Sequence, residues 1–239
     1  MILLSSLAFT AFLTGCKKSS SGKKTTTPYT CPSCTNVPEA VAANDASSKG
    51  IYIGVLIGST GTIKFDIDNA GSTITAEMVI DGTTVNLTSA VTWVAGVAYT
   101  APFTGTLNGQ AITINFSVDL SGQNPAVTSS NIPGHPNASF TLAKETSTAL
   151  IEAFEGIYVT TKPETGTFNI ILSLTLKKWG AVARADGSSD ISHGGGTISG
   201  SNLIDENNTV IGTLNGDEVN GKFNDSNGIS VTLTGKRTL

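Results

Sequence analysis

The sequence predicts an all-β fold built from two related antiparallel meanders, and three observations carry that expectation. Thr, Ser, Gly, Asn, Val and Ile dominate, while only 13% of residues are charged, a balance that favours strands and turns over helices. Apolar and polar residues alternate in short runs, as in Ile63-Lys64-Phe65-Asp66-Ile67-Asp68, Ile112-Thr113-Ile114-Asn115-Phe116-Ser117-Val118-Asp119 and Ile229-Ser230-Val231-Thr232-Leu233-Thr234. Such alternation gives one packed and one wet face, the signature of antiparallel sheet. Short stretches of the first half also recur, in order, in the second.

Six matches make up the repeat. Gly50-Ile51-Tyr52 returns as Gly156-Ile157-Tyr158, Thr60-Gly61-Thr62-Ile63 as Thr165-Gly166-Thr167-Phe168, and Asp81-Gly82 as Asp186-Gly187. Gly105-Thr106-Leu107-Asn108-Gly109 returns identically at 212–216, Phe116 as Phe223, and Phe140-Thr141-Leu142 as Val231-Thr232-Leu233. The spacing drops only at the last match, which places an extra segment at 121–137 in the first copy. Asp-Gly at 81 and 186 and Asn-Gly at 108, 215, 220 and 227 supply the positive φ of tight hairpins. Six or seven strands per copy are expected, at roughly ten-residue spacing, which fits a β-barrel or β-sandwich. The copies form either one pseudo-symmetric body or two small packed domains, and the short link between Glu145 and Gly156 favours tight packing. A short helical turn is expected before each repeat, around residues 38–43 and 147–154. The domain reading is thus 1–15, 16–37, 38–146 and 147–239.

The first two of those segments read as an address. Residues 2–13, ILLSSLAFTAFL, form an apolar run too short to cross roughly 30 Å of hydrocarbon but long enough for the core of a signal peptide. It ends in Leu13-Thr14-Gly15-Cys16, which resembles the lipobox of bacterial lipoproteins, where signal peptidase II cuts before a cysteine already carrying diacylglycerol. The usual positive n-region is missing between Met1 and Ile2, as expected if the coding start lies a few codons upstream. The resemblance implies that Cys16 carries acyl chains on sulfur and amine, and more than one chain gives stable anchoring. Residues 17–30, KKSSSGKKTTTPYT, then read as a polar tether. Its Lys17, Lys18, Lys23 and Lys24 serve either attraction to anionic headgroups or plain solubility. By the same resemblance, Lys17 after the cysteine fits sorting to the outer membrane, where the basic tether favours the periplasmic face over surface export.

Cys31-Pro32-Ser33-Cys34 has three physical readings: a redox dithiol, half of a zinc site, or a structural disulfide. No strand precedes Cys31 to build a thioredoxin-like site, and the only further ligand candidates, His135 and His193, lie about a hundred residues on or more. In an oxidising compartment the two thiols most simply pair with each other, so a disulfide is the expectation.

Beyond residue 25 the chain has ten basic against eighteen acidic residues, a net of −8, which repels phosphate backbones and argues against a nucleic-acid partner. Chemistry-bearing patterns are sparse. His135 sits in the turn Ile132-Pro133-Gly134-His135-Pro136, and His193 opens an expected loop, His193-Gly194-Gly195-Gly196. Neither has metal-ligand spacing, and no G-x-S-x-G elbow or P-loop occurs. Asp66-Ile67-Asp68-Asn69-Ala70-Gly71 lacks an oxygen ligand at its fifth position, so it reads as a hairpin turn rather than a calcium loop. Trp93 and Trp179, the only tryptophans, are either core packing or the lining of a ligand pocket at a barrel mouth.

The expectation is therefore a lipid-anchored, non-enzymatic cell-envelope protein with no cofactor or metal, in a structural or binding role at the outer membrane. Its partner is the membrane, through Cys16, together with a small ligand or envelope protein that the sequence leaves unnamed. A lipocalin-like or avidin-like carrier of a small apolar ligand is the alternative, and an envelope hydrolase, without motif support, a second.

Overall fold

The computed structural model describes residues 28–58, 61–71 and 73–239. The signal segment, Cys16 and the four tether lysines lie outside the described residues. The chain forms two eight-stranded antiparallel meanders, so each copy holds more strands than the turn spacing suggests. The first comprises β1 (Gly50–Ile57), β2 (Gly61–Ile67), β3 (Thr75–Ile80), β4 (Thr83–Thr88), β5 (Tyr99–Leu107), β6 (Gln110–Val118), β7 (Ala126–Asn131) and β8 (Ser139–Lys144). The second comprises β9 (Glu152–Thr160), β10 (Thr165–Ser173), β11 (Lys178–Ala185), β12 (Ser192–Ser199), β13 (Asn202–Asp205), β14 (Val210–Asn215), β15 (Glu218–Asn224) and β16 (Ser230–Arg237).

In the second meander β16 returns to pair with β9 and closes a barrel. In the first, β8 pairs with β1, but β7 only approaches β8, so that barrel is nearly closed. Between β4 and β5 one residue pair, Thr88 with Thr104, carries the ladder. The sandwich and the single shared barrel are both excluded: each copy is its own barrel.

Local chemistry explains the hairpins. Asp81 and Gly82 take φ of 47° and 73°, and Asn108 and Gly109 take 51° and 78°, the paired positive values that a two-residue turn between twisted strands needs. The first lead-in has a 3-10 helix, Ala42–Asn44, near the expected place. The second lead-in has none: residues 146–149 make a tight turn closed by the Thr146 and Ala149 backbones, and β9 begins at Glu152. Ile151 and Ala153 turn to one side and Phe154 to the other, a period of two that suits a strand buried on both faces.

The ladders also correct how the copies align. Gly61 opposes Ile80 as Gly166 opposes Ala185, so the Thr-Gly-Thr stretches and the Asp-Gly turns after β3 and β11 are equivalent. Gly54 opposes Ile63, however, and Gly156 opposes Phe168, so Gly156 matches Gly54 and not Gly50. Gly54 also opposes Leu142, and Gly156 opposes Gly235, which shifts the Phe-Thr-Leu match by two residues. Both displacements are even, and an even slip keeps every side chain on its own face. The two GTLNG stretches are not equivalent at all: one turns β5 into β6, the other β14 into β15. Asn-Gly solves any tight hairpin and marks no particular one. Residues 121–137 are accordingly no insertion, since they carry β7, whose counterpart is β15. The first copy's extra length lies in β5 and β6, nine residues each against four and six in β13 and β14, and in the turns 89–98 and 119–125, whose counterparts 200–201 and 216–217 have two residues each.

Three apolar clusters hold the fold. Tyr52, Phe65, Phe103 and Phe116 fill the first barrel, with Phe65 and Phe116 centroids 4.5 Å apart and Phe65 and Phe103 4.9 Å apart. Phe154, Phe168, Trp179, Leu203, Val219 and Leu233 fill the second. The third lies between them: Ile51, Ile53, Val55 and Ile57 on the outer face of β1 meet Ile151, Ala153, Ile171 and Val182. Each buried isoleucine or valine contributes roughly 1.5–3 kcal/mol, enough over four residues of β1 to join the barrels into one body. Across the same seam, the Asn169 side-chain amide donates to the Leu56 carbonyl, and Arg184 donates to the Asn137 carbonyl.

The contacts orient the barrels side by side. Residues 28–49, the C-terminus and the turns 89–98, 119–125 and 174–177 share one end, here the lead-in end. The turns at 81–82, 161–164, 186–191, 206–209 and 225–229 lie at the far end.

Candidate functional site

The most built polar arrangement joins the N-terminal segment to the second barrel. Arg237 ends β16 with its side chain 3% exposed. Its Nη1 lies 3.0 Å from Glu152 Oε1 and 3.4 Å from Asp217 Oδ1, and donates to Asn36 Oδ1 at 3.0 Å. Nη2 donates to the Thr35 carbonyl, and Nε to the Leu239 carbonyl at 3.0 Å. A guanidinium suits this place because its planar fork offers five donors in fixed directions. Burial pushes the Glu152 carboxyl above its usual range; Arg237 pulls it back and Asp217 pushes it up further.

The cysteine pair sits on this clamp. Cys31 and Cys34 are joined by a disulfide, with Cα atoms 5.5 Å apart, and the Cys31 amide donates to Asp217 Oδ2 at 2.7 Å. The sulfurs are therefore not free ligands or thiolates in this structure. Just before it, Tyr29 donates its hydroxyl to the Arg237 carbonyl at 3.2 Å, and Lys236 Nζ lies 4.8 Å from the Tyr29 ring centre. The chain thus docks on the second barrel before it enters the first.

Residues 39–49 are held in turn by the first barrel. The buried Glu145 carboxylate accepts from the amides of Glu39 at 2.6 Å, Ala40 at 3.2 Å and Ile151 at 3.3 Å. Burial raises its pKa despite those donors. Lys144 Nζ donates to the carbonyls of Asn44 at 2.8 Å, Lys49 at 2.7 Å and Ser47. Burial holds its pKa down to about 8, against the pull of Asp45 and Asp119.

The tryptophans lie apart, one on each barrel. Trp93, half-buried in the 89–98 turn, packs against the first core, donates Nε1 to Ser48 Oγ at 2.8 Å and lies 4.4 Å beneath Lys49 Nζ. Trp179 is core in β11 and donates Nε1 to the Ile204 carbonyl at 3.0 Å. His193 and the three glycines after it form part of β12 and not a loop. A Cβ at Gly194 would meet the indole at 3.7 Å, an ordinary contact, whereas one at Gly196 would clash with the Ile204 carbonyl of β13, so it is Gly196 that the close approach of the strands requires. His193 is exposed opposite Val182, whereas His135 is largely buried at the far end of the first barrel, its Nε2 3.4 Å from Asp81 Oδ2. Among the described residues no three His, Cys, Asp or Glu side chains converge as metal ligands would.

Grooves among the described residues lie outside the barrel interiors. One of about 430 Å³ runs over the exposed Thr213, Asn220, Lys222, Thr232 and Thr234 of the second barrel. Another, about 160 Å³ and apolar, opens at the seam between Ala143, Ile151, Ile171, Leu176 and Trp179. Inside the first barrel Tyr52, Phe65, Phe103 and Phe116 pack ring against ring. Sequence reasoning named the cysteines and tryptophans but missed Lys144, Glu145, Glu152 and Arg237. The available signal for the seam was β1 itself, Gly-Ile-Tyr-Ile-Gly-Val-Leu-Ile, an apolar run without alternation that marks a strand buried on both faces.

No family model, curated protein or solved structure matches this chain.

Proposed function

We propose that this chain is a lipid-anchored cell-envelope protein, held by acyl chains on Cys16 at the periplasmic face of the outer membrane, whose barrels serve a non-enzymatic structural or binding role. The observation that carries this reading is Leu13-Thr14-Gly15-Cys16 at the end of a twelve-residue apolar run. The neighbouring disulfide supports it, because such bonds persist in oxidising compartments outside the cytosol. So does the basic tether, whose lysines complement anionic lipid.

The test is mass analysis of the N-terminal peptide of the protein taken from its own membranes, alongside fractionation of a Cys16→Ala variant. The reading expects a diacylglyceryl-cysteine N-terminus in the wild type and release of the variant from membranes. An unmodified cysteine, with the variant still sedimenting with membranes, overturns it.

A further inference from the structure

Exposed apolar side chains on this protein are gathered at one end, and it is the end where the anchored segment joins the fold. Among the described residues eleven large aliphatic side chains are exposed, and eight of them lie at the lead-in end. Val91, Val94 and Val97 occupy the turn between β4 and β5, Leu120 the turn between β6 and β7, and Leu174 and Leu176 the turn between β10 and β11. Their exposure runs from 40% for Val91 to 59% for Leu120, and apolar side chains gathered on one surface mark an interaction face in a way that single exposed ones do not. Val37 and Val41 complete the set, on the lead-in segment itself.

We infer that this end is a lipid-facing surface: the aliphatic turns dip into the bilayer while Lys177 and Lys178 meet its headgroups. Where the chain enters the structure argues for this occupant. Tyr29 is fixed at the same end by its contacts with Arg237 and Lys236, and the chain between Cys16 and Tyr29 reaches at most about 45 Å fully extended. An acylated Cys16 therefore keeps this end close to the membrane. Charge agrees. Of the acidic groups here, Asp68 is paired with Lys49, Glu39 with Lys64 and Asp217 with Arg237, while Asp45 and Asp119 accept from the Ser147 and Ser121 hydroxyls. Lys177 and Lys178, by contrast, stand exposed beside the two leucines. The far-end turns carry six acidic residues against one lysine, Lys162, a balance that an anionic surface repels. Aliphatic turns flanked by lysines at the anchored end and acidic turns at the other fix which way the barrels point.

This surface rests on the anchoring reading, and one experiment separates the two. The full acylated protein is reconstituted into vesicles of phosphatidylethanolamine and phosphatidylglycerol, then compared with the same protein in detergent by sedimentation and by amide hydrogen exchange. Sedimentation reports the anchor. Exchange reports the surface: residues 91–97, 119–121 and 174–177 are expected to slow about tenfold on vesicles while 186–190 and 225–228 do not change. A Leu174→Asp, Leu176→Asp pair, in an exposed turn where folding is checked by circular dichroism, should still sediment but lose the protection at 174–177. Equal exchange at both ends in protein that sediments overturns the lipid-facing surface and leaves the anchor standing. Protein that lacks acyl mass and stays in solution overturns the anchor itself.

Discussion

Lys144 and Arg237 occupy the same place in the two barrels. Lys144 opposes Tyr52 across the β8–β1 ladder, Arg237 opposes Phe154 across β16–β9, and Tyr52 and Phe154 are equivalent core positions. Each cation ends the last strand of its barrel and grips the backbone of a lead-in segment: Lys144 the carbonyls of Asn44, Ser47 and Lys49, Arg237 that of Thr35. They differ in company. Lys144 is satisfied mainly by backbone, whereas Arg237 also neutralises Glu152 and Asp217.

That difference predicts unequal losses. Arg237→Met leaves the Glu152 carboxylate buried without its partner, and removing one member of such a pair costs about 3–5 kcal/mol. Denaturant unfolding should show this loss, and adding Glu152→Gln should recover part of it. An Arg237→Met protein as stable as wild type would refute the clamp.

Lys144→Met strands three carbonyls, for an expected loss of about 2 kcal/mol. Its sign with pH follows from a pKa held down to about 8 from 10.5. Below about pH 8 the full cost of the buried ammonium is present. Between about 8 and 10.5 the unfolded chain keeps a proton that the folded chain has released, so this group's contribution to stability rises with pH. The wild-type advantage over Lys144→Met should widen across that window in unfolding measured at each pH.

Asn169→Leu removes the side-chain donor on the Leu56 carbonyl, in a largely apolar seam. Leaving that carbonyl unpaired should cost about 2 kcal/mol. A charge in the same seam, Ile171→Asp, should go further and split thermal unfolding into two transitions, since the barrels then lose the face that joins them. A single undivided transition in Ile171→Asp would count against the seam as their coupling.

Mild acid should not weaken the fold through its glutamates. Burial raises the pKa of Glu145, Glu152 and Glu155 above the usual 4.5. A carboxyl whose folded pKa is raised binds its proton more readily when folded, so its contribution improves as pH falls from neutral toward 4.5. Asp119, held low chiefly by the Ser121 hydroxyl, works oppositely, but only around and below its usual 3.8. The melting temperature should hold or rise between pH 7 and 5, and Glu145→Gln with Glu155→Gln should flatten that trend.

The sequence by itself determined the all-β class, the doubling and the positions of most marked hairpins, because alternation and Asp-Gly or Asn-Gly turns are local properties that need no partner. Asn220-Gly221 is the exception, since it lies inside β15 and not at a turn. It also supplied the expected anchor at Cys16, a matter of a short linear motif. The alignment of the copies was only partly legible, since an even slip of two or four residues keeps every side chain on its face and leaves the pattern intact. Strand count suffered where β7 and β13 carry weak alternation, with Ala-Val-Thr-Ser-Ser-Asn and Asn-Leu-Ile-Asp. Tertiary structure alone decided that there are two barrels and which partners the outer face of β1 meets. It alone brought Arg237 to Thr35 and Glu152, and gathered exposed valines and leucines from separate turns at one end. Those outcomes depend on which strands close on which, over separations of up to about two hundred residues, and no local pattern encodes that pairing.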